Sequence, residues 1–283
     1  QYSAVVPSGA ALTPTSGWGN GLYFGGVQAP SGNIVCIPHA SGNIGLYDPE
    51  GMSFSNALAH NCPSGAFAGG VLDGNSNITM IPFNSQNVCA YNGSTGLFSN
   101  MVRISTTAPK LVGGVLLPNG NIIGIPFGTS NVIQYSPTTL TFSNIVIASG
   151  FFGGVLTPNG NVVCVPYTNG NVVVLNPTTG VFSNITAAGG ANGFAGGVLL
   201  PNGQVALTPF TNSNVGLFNP TTLTFANITP QGVSTSNAYF GASLTTDGRV
   251  VFCPNQSQYV GVLNTVTPLP SAEYRLVPYI NKL

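Results

Sequence analysis

Six copies of one short phrase constrain this chain more than any other feature. Phe24-Gly25-Gly26-Val27 recurs as Ala68-Gly69-Gly70-Val71, Val112-Gly113-Gly114-Val115, Phe152-Gly153-Gly154-Val155 and Ala195-Gly196-Gly197-Val198, with Phe240-Gly241-Ala242-Ser243 as a degraded sixth copy. Eleven residues beyond the fourth position stands a proline in every copy: Pro38, Pro82, Pro126, Pro166, Pro209 and Pro254. Five further on comes Asn43, Asn87, Asn131, Asn171 or Asn214, replaced by Tyr259 in the last copy. Sixteen beyond the proline comes Phe54, Phe98, Phe142, Phe182 or Phe225, followed by Ser-Asn or Ala-Asn, whereas the sixth copy has Pro270. A period of about 40–45 residues is that of a propeller blade. The spacing therefore predicts an all-β chain forming one domain over 1–283, a six-bladed β-propeller of four-stranded antiparallel blades beginning near 24, 68, 112, 152, 195 and 240.

The fourth copy shows the expected strands. Strand A is Gly153–Thr157, and Pro158-Asn159-Gly160 reads as a hairpin turn of type I′, because Asn-Gly tolerates positive φ. Strand B, Asn161–Pro166, carries a Val-Val-Cys-Val run typical of a strand covered on both faces. Asn169-Gly170 leads to strand C at Asn171–Leu175, and Asn-Pro-Thr-Thr-Gly at 176–180 turns into strand D, Val181–Thr186. No segment sustains a capped helical period. The paired glycines suit innermost strands, where backbones approach closely. They do not form a phosphate loop, since neither a Lys-Ser/Thr pair nor a helix follows.

A ring of blades must hide its two open edges. Leu12-Thr13-Pro14 precedes Gly25 at the distance by which Ile228-Thr229-Pro230 precedes Gly241. Residues 1–14 are thus expected to supply the last strand of the sixth blade, with Glu273–Tyr279 alongside, so that the chain ends meet there.

From strand A to strand D the spacing is constant in copies one to five. Only the D–A connection changes, with 13, 13, 9, 12 and 14 residues from the strand D Asn to the next first Gly. A–B and C–D turns lie at one end of a four-stranded meander, B–C and D–A connections at the other. All length variation falls at the second end, the usual seat of recognition on a rigid scaffold.

Composition excludes several functions. Only 4% of the 283 residues are charged, five basic against five acidic, where about 25% is usual. Five cations cannot neutralise a nucleic-acid backbone, so no nucleic-acid partner is expected. No apolar run approaches the roughly 18 residues of a membrane span, so no membrane insertion is expected. No signal peptide is visible, and the start at Gln1 suggests a processed or trimmed form. Polarity comes from 31 Asn with Ser and Thr, which suits an extracellular or virion-exposed surface.

The period resembles that of WD-repeat and kelch-type propellers over nearly the whole chain, without their Gly-His…Trp-Asp signature; the single Trp18 lies outside the repeats. The phrase Gly-Gly-Val-Leu-Leu-Pro-Asn-Gly-Asn-Ile-Ile-Gly-Ile-Pro-Phe at 113–127, with Asn-Pro-Thr-Thr at 176–179 and 219–222, is more similar to propeller repeats of phage and large-virus virion proteins. That resemblance implies a structural component of a virion or cell surface, with an adhesion or decoration role and copies of itself, other structural proteins or surface glycans as partners. It transfers no catalytic residue.

Candidate chemistry is sparse. Asp48 holds a C–D turn slot that is Asn176 and Asn219 elsewhere, while Asp73 and Asp247 sit in A–B turns, so these acids read as turn formers; Glu50 and Glu273 find no carboxylate partner. The chain is therefore expected to be no enzyme and to need no cofactor. A metal set Cys36, His39, His60 and Cys62 has suitable chemistry. Yet Cys36 fills an apolar strand B slot, and His39 fills the slot of Phe83, Phe127, Tyr167 and Phe210, so no metal is expected. Cys36, Cys164 and Cys253 lie in apolar strands B and read as buried thiols. Cys62 and Cys89 lie towards the variable end of blade two and form a disulfide candidate. Sequons at Asn77, Asn92, Asn184, Asn227 and Asn255 are candidates for glycosylation. The functional expectation is a non-enzymatic adhesion or structural protein. A lectin-like carbohydrate-binding propeller and a glycan-active hydrolase are the alternatives.

Overall fold

A computed structural model describes residues 22–186, 193–229, 237–265 and 274–278. Each repeat folds into one antiparallel sheet whose strands lie in chain order. Blade one contains β1 (Tyr23–Gln28), β2 (Ile34–Pro38), β3 (Asn43–Asp48) and β4 (Ser53–Ala59). Blade two contains β5 (Phe67–Leu72), β6 (Asn77–Pro82), β7 (Asn87–Asn92) and β8 (Phe98–Arg103). Blade three contains β9 (Leu111–Leu116), β10 (Ile122–Pro126), β11 (Asn131–Ser136) and β12 (Thr141–Val146). Blade four contains β13 (Phe151–Leu156), β14 (Val162–Pro166), β15 (Asn171–Leu175) and β16 (Phe182–Thr186). Blade five contains β17 (Phe194–Leu199), β18 (Val205–Pro209), β19 (Val215–Asn219) and β20 (Thr224–Ile228). Blade six contains β21 (Tyr239–Leu244), β22 (Arg249–Pro254), β23 (Tyr259–Asn264) and β24 (Tyr274–Pro278). The fold is a six-bladed β-propeller, and no helix occurs among the described residues. The first three blades belong to one compact unit ending at Val146, the last three to a second beginning at Ile147.

Two expectations need correction. The strand beside β23 is β24, with Tyr259 opposite Pro278 and Leu263 opposite Tyr274. The C-terminal segment thus holds the place that the spacing gave to residues 1–14, which lie outside the described residues. Its Tyr-Arg-Leu-Val-Pro sequence shares no residue pattern with the Phe-Ser-Asn strands, so the repeat could not reveal it. The A–B turn of blade four is also not type I′. The Gly160 N–H donates to the Thr157 carbonyl at 2.9 Å, which puts Pro158 and Asn159 at the turn centre. Gly160 alone of these takes a positive φ, 82°. Proline's fixed φ near −65° suits the second position of a type I turn, and the glycine then continues it into the strand.

The Gly-Gly pairs do two different jobs. The first glycine is left-handed in all six copies, for example φ 101° at Gly69 and 91° at Gly196. Each lies where the register between strands A and B shifts by a bulge. A Cβ built on Gly69 would stand 3.2 Å from Gly113 Cα, and one on Gly196 would stand 3.4 Å from Gly241 Cα. Within each unit, innermost strands therefore touch backbone to backbone. The second glycine receives side chains instead: a Cβ on Gly114 would collide with Ile81 Cδ1 at 2.5 Å and Val71 Cγ2 at 2.7 Å. The core between neighbouring blades is thus made by strand B of one blade closing over strand A of the next. In blades one and two it comprises Val35, Ile37, Ile44, Phe67, Ile78, Met80, Cys89 and Tyr91.

Strand B ends in proline, which still pairs with strand A, as Pro166 does opposite Phe151, but lies beyond the last pair with strand C, Cys164 opposite Val173, where a missing N–H costs nothing. The next residue makes two backbone hydrogen bonds. Phe83 N–H donates to Ala66 O at 2.8 Å within its blade, and Phe83 O accepts from Lys110 N–H at 2.9 Å in the next blade. Tyr167 bonds Gly150 O and Gly193 N–H in the same way, at 2.9 and 2.7 Å, and Phe210 bonds Gly193 O and Ala238 N–H, at 2.7 and 2.9 Å.

Replacing Gly69 with Ala should cost about 1–3 kcal/mol, because the new methyl meets backbone and the left-handed φ disfavours an L side chain. Gly42→Ala, in open space without positive φ, should change stability by less than about 0.5 kcal/mol. Urea denaturation of both variants checks this; equal midpoints would contradict the close-approach account.

Candidate functional site

The variable end of the blades is floored by aromatic rings from two slots, the one after the strand B proline and the one before the first glycine of strand A. In the first unit Phe24, His39, Phe83 and Phe127 follow one another at centroid spacings of 5.6, 5.8 and 6.2 Å. In the second unit Phe152, Tyr167, Phe210 and Phe240 do the same at 5.6, 5.7 and 6.0 Å, and Phe152 meets Phe240 edge-on at 5.0 Å. His39 is a member of this row: its Nδ1–H donates to Phe67 O at 2.7 Å. Around the row in the first unit stand amides and two cations. Lys110 Nζ lies 4.3 Å from the Phe83 ring centre and donates to Asn84 Oδ1. Arg103 donates to Gln86 Oε1 at 2.7 Å.

The described carboxylates occupy the opposite end. Asp48 Oδ1 accepts from the N–H groups of Glu50 and Gly51, at 2.9 and 3.1 Å. Asn92, Asn176 and Asn219 do the same in their own C–D turns. Asp73 is buried and accepts from Asn75 N–H, Asn77 N–H and the Thr79 hydroxyl, at 2.9, 3.0 and 3.2 Å. Hydrogen bonds from Arg249 and Thr245 hold the exposed Asp247 carboxyl down at about 2. These acids are turn formers, as their slots foretold.

The four metal candidates do not converge. Cys36 lies in β2 opposite Gly26 and Gly45, and burial pushes its thiol up. Among the described residues no group of three His, Cys, Asp or Glu side chains is disposed to hold an ion. Burial pushes the Cys164 thiol up to about 12, but Cys253, expected to be buried, is exposed, because alternation along β22 turns Phe252 inward and its neighbour outward.

Cys62 packs against the core cluster that contains Cys89. His60 N–H is anchored to Gly42 O at 3.0 Å, and its buried ring lies 6.1 Å from that of Phe67 and 5.9 Å from that of Phe98. Cys62 N–H donates to His60 Nδ1 at 3.3 Å, which folds the loop back and puts the ring's own proton on Nε2. Buried His60 Nε2 makes no hydrogen bond of ordinary length. Cys62 is half-exposed, Cys89 is fully buried in β7, and both are free thiols. A hydrogen bond from the Cys89 thiol, with His60 adding to it, lowers Cys62 to about 5 against the opposing effect of burial. The same bond and burial raise Cys89, whose Sγ also lies 2.9 Å from Asn100 Oδ1. The sequence placed both cysteines at this end; the part played by His60 needed the loop's path.

Of the sequon asparagines, Asn184, Asn227 and Asn255 are exposed, whereas Asn92 Nδ2 donates to Asn77 Oδ1 at 2.8 Å within blade two. A feature that the repeat did not suggest is a groove of about 470 Å³ between blades four and five, lined by Asn161, Thr179, Ser183, Thr221, Val181 and Leu223. The exposed apolar Val181 and Leu223 beside hydroxyl-rich turns were its only trace in the sequence.

No family model and no curated protein matches the chain. Solved structures share its fold. A virginiamycin B lyase from Staphylococcus aureus superposes with a TM-score of 0.77 at 9% identity, over 90% of this chain and 84% of that one. The hydrazine synthase of Kuenenia stuttgartiensis gives 0.66 at 12% identity, over 92% and 80%. The extracellular domain of a hybrid two-component system from B. thetaiotaomicron gives 0.68 at 13% identity, over 91% of this chain and 33% of that one. At these identities the likeness is one of fold.

Asp48→Asn should leave stability within about 0.5 kcal/mol of the parent, since Asn fills the same slot in three other blades. Asp48→Ala should lose about 1 kcal/mol with the two turn bonds. Thermal unfolding checks both; a large loss in Asp48→Asn would give the charge a role beyond the turn.

Proposed function

We propose that this chain is a non-enzymatic recognition module, exposed on a virion or cell surface, that binds through the B–C and D–A loops. One observation carries the reading. At that end the backbone bonds repeat while the loops vary in length, and the carboxylates of Asp48, Asp73 and Asp247 are committed to turns at the other end. Acid–base catalysis requires titratable groups converging on a substrate. Aromatic faces, amides and the Lys110 and Arg103 cations instead supply stacking and hydrogen bonds. The lyase likeness favours an enzyme by fold alone, and fold does not carry function.

A carbohydrate ligand is the second reading, favoured by the groove between blades four and five. Its hydroxyls and amides beside small apolar surfaces match the alternating polar and apolar faces of a sugar ring.

Two variants separate these readings on a glycan array and on intact particles or cells of the source. Lys110→Ala should weaken binding at least about tenfold if the loop end binds, the equivalent of about 1.4 kcal/mol. Ser183→Trp should abolish binding if the groove does. Binding that survives both changes, or chemical turnover of the bound molecule, would overturn the recognition reading.

A further inference from the structure

We propose that Cys62 and Cys89 form a thiol–disulfide exchange site for small disulfides, in which Cys62 attacks from the surface and Cys89 resolves from the core. The inference goes beyond the recognition reading and stands independently of it. Its basis is an asymmetry of exposure in two thiols of one core, since Cys62 packs against the cluster that contains Cys89. Cys62 is half-exposed between exposed Asn61 and Pro63, whereas Cys89 is fully buried behind it. A disulfide arriving from solvent therefore reaches Cys62 alone. The loop is held by its own bonds: His60 N–H to Gly42 O, Cys62 N–H to His60 Nδ1, and Gly65 and Ala66 N–H to His39 O. The thiol is thus presented in a fixed position beside an imidazole whose Nε2 is buried without a hydrogen-bond partner of ordinary length. The lowered thiol of Cys62 and the raised thiol of Cys89 agree with that division, because the thiolate is the nucleophile.

The chemistry balances with one small-molecule disulfide, such as oxidised glutathione, as oxidant. Cys62 thiolate attacks one sulfur of the disulfide, forming a mixed disulfide and expelling one small thiolate, which takes up the proton that Cys62 had released. Cys89 sulfur then attacks Cys62 Sγ, the bond to the small thiol breaks, and the Cys89 proton leaves with it. Two protein thiols are oxidised, one disulfide is reduced, and two small thiols depart. The product ties the D–A loop ahead of β5 to the third strand of blade two, across the core containing Phe67 and Met80.

Neither Cys36 nor Cys164 matches this arrangement. The first is raised by burial in β2 and the second is fully buried in β14. Exposed Cys253 serves as the internal reference for an accessible thiol.

The test incubates the reduced native protein with oxidised glutathione without oxygen and maps peptides under non-reducing conditions. The expected wild-type product is a Cys62–Cys89 cross-linked peptide with no lasting glutathione adduct on either residue. Cys89→Ala, which keeps a small apolar side chain, should stop at glutathionylated Cys62. Cys62→Ser should leave Cys89 unmodified. Competitive alkylation should label Cys62 at least about tenfold faster than Cys253 at pH 6, with a rate that levels off below pH 7. A stable mixed disulfide at Cys62 in the wild-type protein would overturn the proposal. So would alkylation of Cys62 no faster than that of Cys253. Because both wild-type measurements stand without the variants, misfolding of Cys89→Ala leaves the outcome decisive.

Discussion

The residue after the strand B proline closes two backbone hydrogen bonds, and the order of the blades depends on them. Leu22 O accepts from His39 N–H, His39 O from Gly65 and Ala66 N–H, Ala66 O from Phe83 N–H, Phe83 O from Lys110 N–H, and Lys110 O from Phe127 N–H. The second unit repeats the relay from Gly150 through Tyr167, Gly193, Phe210 and Ala238 to Asn255. Backbone groups so placed would otherwise be buried without partners, a cost comparable to that of lost hydrogen bonds. The relay also explains how D–A loops of different lengths share one scaffold. Each ends at an acceptor three residues before the first glycine, so length changes are absorbed ahead of a fixed point.

The other constraint is the scarcity of charge. With 4% charged residues, the turns are ordered by neutral caps: Asn92, Asn176 and Asn219 accept two backbone N–H groups each, and Asp48 substitutes for them. Such local side-chain bonds fix the C–D turns of blades one, two, four and five without ion pairs; Asp247–Arg249, in the A–B turn of blade six, is the one pair among the described residues. The proposed recognition falls at the loop end, where Phe83, Lys110, Asn84 and Gln86 gather.

The blades were legible because glycine, proline and phenylalanine each mark a backbone requirement: Gly69 a left-handed bulge, Pro82 a strand end, Phe98 a ring over the blade core. The last strand was not, because β24 is held by ladder bonds that Tyr-Arg-Leu-Val can make as well as Phe-Ser-Asn. The A–B turn was misread because Asn159-Gly160 suggests one turn while Pro158 before it imposes another. At the candidate site, spacing sufficed to put Cys62 and Cys89 at one end of blade two. It could not show that a bond from Cys62 N–H to His60 folds the loop so that one thiol faces solvent and the other the core. The groove by Val181 was invisible because it arises between two blades, whereas the repeat reports one blade at a time.

Native-state hydrogen exchange read at single amides tests the relay directly. The account predicts that the N–H groups of Lys110, Gly193 and Ala238, although they lie in or beside loops, exchange only through global unfolding, with the protection of the central strands β10 and β18. Exchange of these three as fast as that of the outward-facing amides of the edge strands β12 and β20 would contradict it.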